Sequence, residues 1–430
     1  MKVKNYIILG AGIAGISVAY HLKQKNISSI IYEKNHYFGG LCSSFKINDF
    51  IFDNAVHLSF TKDEYVKKLF SNSCRVISHK PPKISNYYKG YWLKHPAQNN
   101  LEPLELKEKI DIISDFCENP YKNIEINNYE DWLKAQYGKY FSQNFTMRYT
   151  RKYWNIEAKD LSTSWVGSRM YKPNISEVLK GAFEKETPNT YYADEMRVPQ
   201  YGGYQSFLNL MAKECNIQYD KEIIEINPAN KMIYFKDGSF KNYDVLVSTL
   251  PLPEYAKLIK NIPNEISLAC QKLKYTSVVL VSLGFSKPDI AKHIWFYIYD
   301  EDILPARCYS PNKKSPYNVP KNCSSLQFEI YFSQDKPLNF DENEIIKKVV
   351  NQGKKMGIFC EEDIILKDYR ILPYGNVIFY HNMEKDREKI RNFLESCNIH
   401  TAGRFGKWEY LWSDQSLLSG KEVAEKLYEL

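Results

Sequence analysis

Asn5-Tyr6-Ile7-Ile8-Leu9-Gly10-Ala11-Gly12-Ile13-Ala14-Gly15-Ile16-Ser17-Val18-Ala19-Tyr20 decides how the rest of the chain is read. Residues 5–9 are a short apolar, β-branched run, and residues 14–25 have helical spacing. Residues 28–32 are a second apolar run, closed by Glu33. This order predicts a β-α-β unit with Gly10-x-Gly12-x-x-Gly15 in its first turn. Small residues there let the main chain approach a pyrophosphate, and the N-terminus of the helix offers N–H groups that lack partners of their own. Glu33 stands at the distance where a carboxylate accepts from ribose hydroxyls, so the pattern predicts dinucleotide binding. The same opening imitates a secretion signal, basic and then apolar, but three glycines at fixed offsets give the better account of it.

Of the 430 residues, 44% are apolar and 15% aromatic, with 34 tyrosines among them. The length predicts a core divided among two or three lobes, and the composition excludes a disordered chain. So many tyrosines predict pockets lined by rings that carry hydroxyls. A net charge of +7 suits an anionic substrate, yet no basic run with interleaved aromatics points to nucleic acid. The nine cysteines show neither Cys-x-x-Cys pairs nor ligand spacing, so reduced thiols in a cytoplasm, and no metal, are expected. No other stretch is long and apolar enough to span a bilayer.

Farther along, the sequence turns charged and helical over residues 101–180, with amphipathic segments at 105–117 and 129–136. Residues 275–285, 293–299 and 325–332 are β-rich and predict an antiparallel sheet. Residues 221–226, the turn Lys236-Asp237-Gly238 and residues 243–248 return to the nucleotide domain as a hairpin and a final core strand. Its last piece is 401–430, where Gly403-Arg404-Phe405-Gly406 precedes a helix beginning near Ser413. The expected architecture is α/β. A discontinuous Rossmann-like domain (1–80, 200–262 and 380–430) joins a helical domain (99–199) and an antiparallel sheet substrate domain (81–98 and 263–379), with substrate between the lobes.

A second glycine turn, Gly39-Gly40-Leu41-Cys42-Ser43-Ser44, follows Glu33 and resembles the one FAD enzymes place beside the pyrophosphate. Thr249-Leu250-Pro251, after a buried strand, resembles the FAD-dependent amine oxidase and protoporphyrinogen oxidase superfamily. Further segments, taken in order, resemble the UDP-galactopyranose mutase family in its larger, eukaryotic-type branch. They are His95-Pro96-Ala97-Gln98-Asn99-Asn100, Trp165-Val166-Gly167-Ser168-Arg169, Trp295-Phe296-Tyr297, Arg307 and Gly403-Arg404-Phe405-Gly406-Lys407-Trp408-Glu409-Tyr410. The resemblance runs from the first strand to the last helix.

That resemblance implies a cytoplasmic isomerase that interconverts the pyranose and furanose forms of a nucleotide sugar. Reduced FAD is the nucleophile through N5, no net redox change occurs, and the product is a galactofuranose-type donor for a surface polysaccharide. Arg169 and Arg307 match arginines that bind the diphosphate, and Tyr410 a tyrosine that donates to the same group. Such a clamp is required because the expelled diphosphate must be stabilised and then kept in place for return. Planar guanidinium forks suit phosphate oxygens in a partly dry cleft. His57 matches a histidine beside the flavin that answers its redox state. Trp154, Trp295 and Tyr297 match residues lining the sugar and nucleotide cleft, Gln98 and Phe145 match residues around the base, and Thr150 and Asn376 occupy substrate positions. Gly10, Gly12, Ile13, Ala14, Gly15, Glu33, Gly39, Gly40, Leu41 and Ile223 match FAD contacts, with Arg404 facing the flavin. Asp414, Gln415 and Ser416 open the last helix with N–H groups toward the pyrophosphate or the flavin dipole.

The chain also departs from the family. His95 and Ala97 stand where aromatics are usual, Thr150 replaces an asparagine, and Ala55 and Val56 replace glycines. Asn376 sits where another diphosphate tyrosine is expected, with Tyr374 nearby as its substitute. Because His95, Ala97, Thr150 and Asn376 gather at the nucleotide end, base and sugar stay open, with uridine and galactose the family default. The source of electrons is open as well: no second, nicotinamide-binding glycine motif is present, and the resemblance allows NAD(P)H in the shared cleft. Two other classes use this scaffold, an oxidase acting on an amine, porphyrinogen or polyene, and a flavin-free binding protein of the Rab escort type.

Overall fold

The computed structural model describes residues 4–187 and 194–429. Tyr6–Leu9 pairs in parallel with Ser29–Tyr32 on one side and with Val245–Ser248 on the other. Asn216–Gln218 and Ile399–Thr401 extend this sheet at its two edges, again in parallel. Ile7, Ile8, Leu9, Ile31, Leu246 and Val247 are all buried, as strands covered on both faces require. The helix Ile13–Gln24 crosses one face and is tied to the last helix, Ser413–Glu429, by the Ser17 hydroxyl, which donates to Leu417 O at 2.6 Å. The final helix thus begins where the sequence places it, beside the glycine turn.

A second sheet has seven strands in the order Ile364–Val377, Tyr275–Phe285, Ser324–Ser333, Arg307–Tyr309, Trp295–Ile298, Ile84–Tyr88 and Tyr91–Lys94. It is antiparallel except at one seam, where Ile84–Tyr88 runs parallel to Trp295–Ile298. Ile84–Tyr88 reaches that seam from far upstream rather than through a hairpin, so its direction is not forced to alternate. Helices Leu106–Cys117, Tyr129–Phe141, Met147–Tyr153 and Ile175–Phe183 make up most of the span between the lobes. The end of that span, Met196–Pro199, is a strand instead, paired antiparallel with Val76–His79. The nine cysteines are unpaired, and among the described residues no helix is long and apolar enough to cross a membrane.

Candidate active site

Between the sheets lies a cavity of 750 Å³, within the range of small-molecule sites. The two glycine turns meet on its wall, where Gly39 N donates to Ala11 O at 2.8 Å. Gly40 adopts φ +57°, and a Cβ on it would sit 3.2 Å from Gly12 Cα, so the two turns touch because both residues are glycine. A Cβ on Gly12 would meet nothing within 4 Å, and the helix Ile13–Gln24 therefore starts at open cavity. No side chain caps that helix and its first turn holds no acid. Its N–H groups and the positive end of its dipole are left for a phosphate.

Glu33, 7% exposed, closes the same wall. Its Oε2 accepts from Ala11 N at 2.8 Å, and its Oε1 accepts from Asn35 N at 3.0 Å and Asn35 Nδ2 at 2.7 Å. These bonds fix the carboxylate at the cavity edge. An uncapped helix start, paired glycine turns and a pinned carboxylate fit the pyrophosphate and ribose of a dinucleotide such as FAD.

Three arginines line the same cavity: Arg169, Arg307 and Arg404. The Tyr410 ring carries two of them, with the Arg169 guanidinium 5.0 Å and the Arg404 guanidinium 4.6 Å from its centre. Arg169 also donates to two main-chain oxygens, Trp165 O at 2.9 Å and Tyr410 O at 2.7 Å. Arg404 Nη2 donates to Asn376 Oδ1 at 2.8 Å. Arg307 has a carboxylate partner: its Nε lies 2.6 Å from Glu329 Oε2, and its Nη2 donates to the Tyr331 hydroxyl at 2.9 Å. Burial opposes the charge on Arg307, but the pull of Glu329 outweighs it and holds the guanidinium pKa well above its ordinary value.

His57 lies on the cavity wall with Nδ1 3.2 Å from Ala55 O. Burial lowers its pKa to about 4, against the pull of Asp53, so the ring is neutral near pH 7. Beneath it Asp53 and Lys314 form a fully buried ion pair, and Asp53 also accepts from Tyr204 N and the Ser44 hydroxyl. Ala55, at a position where the family resemblance leads one to expect glycine, adopts φ +67°. The backbone takes the left-handed conformation although the residue carries a Cβ.

Most residues singled out in the sequence gather on this one cavity. Arg169, Arg307, Tyr410, His57, Gln98, Thr150, Trp154, Trp295, Tyr297, Asn376 and Arg404 all line it, as do Gly10, Gly12, Ile13, Ala14, Glu33, Gly39, Gly40, Leu41, Ile223 and Ser416. Phe145 does not. It is fully buried, stacked on Phe141 at 4.5 Å and tilted against Tyr88 at 4.2 Å, so its ring packs between the helical span and the sheet, off the cavity wall. Gly15 lies beneath the turn against the Gly10 carbonyl. Asp414 and Gln415 stand off the wall as well. Gln415 Oε1 is taken by Trp412 N at 2.9 Å, and Ser413 and Ser416 face the cavity in their place. Tyr374 lines the cavity, but its hydroxyl is spent on the Glu254 carboxylate.

Further residues at this site escape the sequence reading, among them Tyr149, Tyr153 and Tyr331 on the cavity wall and Glu329 behind Arg307. Glu329 and Tyr331 come from Ser324–Ser333, where Gln327, Glu329 and Tyr331 alternate with Leu326, Phe328 and Ile330. Period two puts those polar groups on one face and is visible in the sequence. Tyr149 and Tyr153 lie four apart on the helix Met147–Tyr153, and their rings stack at 5.3 Å.

The fold matches solved structures over its whole length. A reduced UDP-galactopyranose mutase superposes with a TM-score of 0.94 at 22% identity, covering 100% of this chain and 94% of that one. A candidate protoporphyrinogen oxidase from Exiguobacterium sp. 255-15 gives 0.77 at 14% identity, covering 100% and 99%. A putrescine oxidase redesigned at its cofactor site gives 0.68 at 12% identity, covering 99% of each chain. The family model for flavin containing amine oxidoreductases matches residues 13–427. With nearly the whole chain inside that model, the protein belongs to the flavin containing amine oxidoreductase family, and FAD is its cofactor.

Proposed function

We propose that the protein is a nucleotide-sugar mutase that interconverts pyranose and furanose forms, with UDP-galactose as the default substrate. The observation that carries this reading is the gathering of Arg169, Arg307, Arg404 and Tyr410 on the cavity that also holds the glycine turns. Reduced FAD supplies, when bound, a nucleophilic nitrogen toward the anomeric carbon. The chain's own residues handle the leaving group. Arg169 and Arg307 receive the diphosphate as its charge grows, and the Tyr410 hydroxyl donates to the same oxygens. The aromatic wall of Trp154, Trp295 and Tyr297 keeps bulk water from the sugar. Holding the diphosphate in place makes its return to the sugar an effectively unimolecular step.

Neutral His57 contributes a hydrogen-bonding ring rather than a charge. In this reading the enzyme works in a cytoplasm, draws electrons from NAD(P)H or another reductant, and keeps a three-part division into nucleotide, helical and sheet domains. Oxidation of an amine is the second reading, supported by the family and the oxidase folds. Three guanidinium groups line the cavity and only Arg307 has a carboxylate partner, a balance that disfavours an ammonium substrate and so favours the first.

Anaerobic incubation of dithionite-reduced protein with UDP-galactose and other sugar nucleotides, resolved by chromatography, tests the choice. A furanose isomer is the expected product. Oxygen consumption with amines, and no furanose across the panel, would establish the oxidase instead.

A further inference from the structure

Asn376 stands where the family resemblance places a second phosphate-binding tyrosine, and the hydroxyl of Tyr374 is committed to Glu254. A hydroxyl nevertheless reaches that corner from another element. Tyr153, the last residue of the helix Met147–Tyr153, lines the cavity and hydrogen-bonds Asn376 Oδ1 at 3.2 Å. Its ring centre is 5.4 Å from the Arg307 guanidinium and 4.6 Å from the ring of Tyr331. Tyr410 lines the same cavity.

We propose that the Tyr153 hydroxyl takes the place of the missing tyrosine and donates to the diphosphate of the sugar nucleotide, beside Arg307 and Tyr410. This rests on the mutase reading and specifies how its clamp is completed. The bond to Asn376 does not stand in the way. Arg404 Nη2 donates to the same Oδ1 at the shorter distance of 2.8 Å, so Asn376 stays satisfied when Tyr153 turns its proton to a phosphate oxygen. A hydrogen bond to an anion is roughly twice as strong as one to a neutral amide, which favours that turn.

The corner also holds more donors than acceptors. Asn376 Nδ2 is buried without an acceptor, and the hydroxyl of Tyr149, one turn from Tyr153, is buried without a partner. Glu329 is already occupied by Arg307, Tyr331 and Val56 N. An oxygen-rich anion is what this donor set lacks.

Tyr153→Phe keeps the stack on Tyr149 and removes only the hydroxyl. The test is titration of the dithionite-reduced holoprotein with UDP and, separately, with uridine, alongside Arg307→Ala. Tyr153→Phe is expected to weaken UDP binding about 10- to 100-fold while leaving uridine affinity and flavin content as in the wild type. Unchanged UDP affinity in Tyr153→Phe, with UDP binding lost in Arg307→Ala, overturns this proposal and leaves the arginine clamp standing. Equal loss of UDP and uridine, or loss of flavin, assigns Tyr153 to packing and overturns it too. Failure of the wild-type protein to bind UDP, GDP, CDP or dTDP defeats the mutase reading itself, and this inference with it.

Discussion

Glu329 Oε2 lies 2.6 Å from Arg307 Nε, joining a carboxylate with no solvent exposure to a guanidinium whose side chain is 16% exposed. The second oxygen of Glu329 accepts from Val56 N at 2.8 Å, one residue before His57. One buried carboxylate thus fixes both the arginine assigned to the diphosphate and the loop that carries the histidine. Desolvating such a pair is costly, and what keeps it favourable is its completeness, since Tyr331 also donates to Glu329 Oε2 at 2.6 Å.

Breaking that pair from the acidic side leaves Arg307 buried against a neutral partner. Glu329→Gln is expected to destabilise the protein by about 3 kcal/mol, near the lower end for a broken buried ion pair. A urea unfolding midpoint equal to the wild type's would mean that Arg307 is solvated in solution.

The arginines themselves act on chemistry more than on the fold. Arg169→Ala and Arg307→Ala should each cut turnover by about two to three orders of magnitude, the scale for removing one preorganised electrostatic donor. Flavin content should be retained, because the hydrogen bonds described for them run to Trp165, Tyr410, Glu329 and Tyr331 rather than to the glycine turns. Steady-state assays with matched flavin absorbance check this, and wild-type turnover in both variants would refute the assignment.

Removing the pinned carboxylate acts at the other part of the cavity. Glu33→Ala frees Ala11 N and Asn35 and deprives the ribose of its acceptor, so purified protein should carry much less FAD and lose it on dilution. The ratio of flavin absorbance to protein reads this directly. Full retention would show that FAD is held without Glu33.

Acid should weaken the fold through three partly buried histidines. Burial lowers the pKa of His57 to about 4, of His293 to about 4 and of His95 to about 3. For each, the unfolded chain takes up its proton near pH 6.5, before the folded protein does, so the stabilisation is complete above that pH and is lost as pH falls toward 4. The gap at His57 corresponds to about 3 kcal/mol. In His57→Gln the stability lost between pH 7 and pH 4 should shrink by about that amount. Parallel stability curves for variant and wild type would show that His57 titrates normally.

Much of this arrangement was legible because local pattern and tertiary role agree. The run from Asn5 to Glu33 specifies strand, turn, helix and strand by period alone, and Tyr275–Phe285 and Ser413–Glu429 begin where the sequence places them. The strand Ile364–Val377 was not legible. It is half-exposed, mixes Lys367, Asp368 and Arg370 with apolar residues, and contains Pro373 and Gly375, which read as a turn. Pairing with Tyr275–Phe285 overrides those signals and tolerates them through a register shift beside Thr276. Phe145 shows the opposite limit. Its place in the sequence suits a cleft, yet three neighbouring rings hold it in the core, and no spacing rule carries that information.

As a mutase, this flavoprotein would change a sugar ring without consuming electrons. Reduce the flavin once, stoichiometrically and without oxygen, remove the reductant, add UDP-galactose, and follow furanose formation together with flavin absorbance. Many product molecules per flavin are expected while the flavin stays reduced. Product limited to one per flavin, or formed only as the flavin is reoxidised, would contradict the mutase reading.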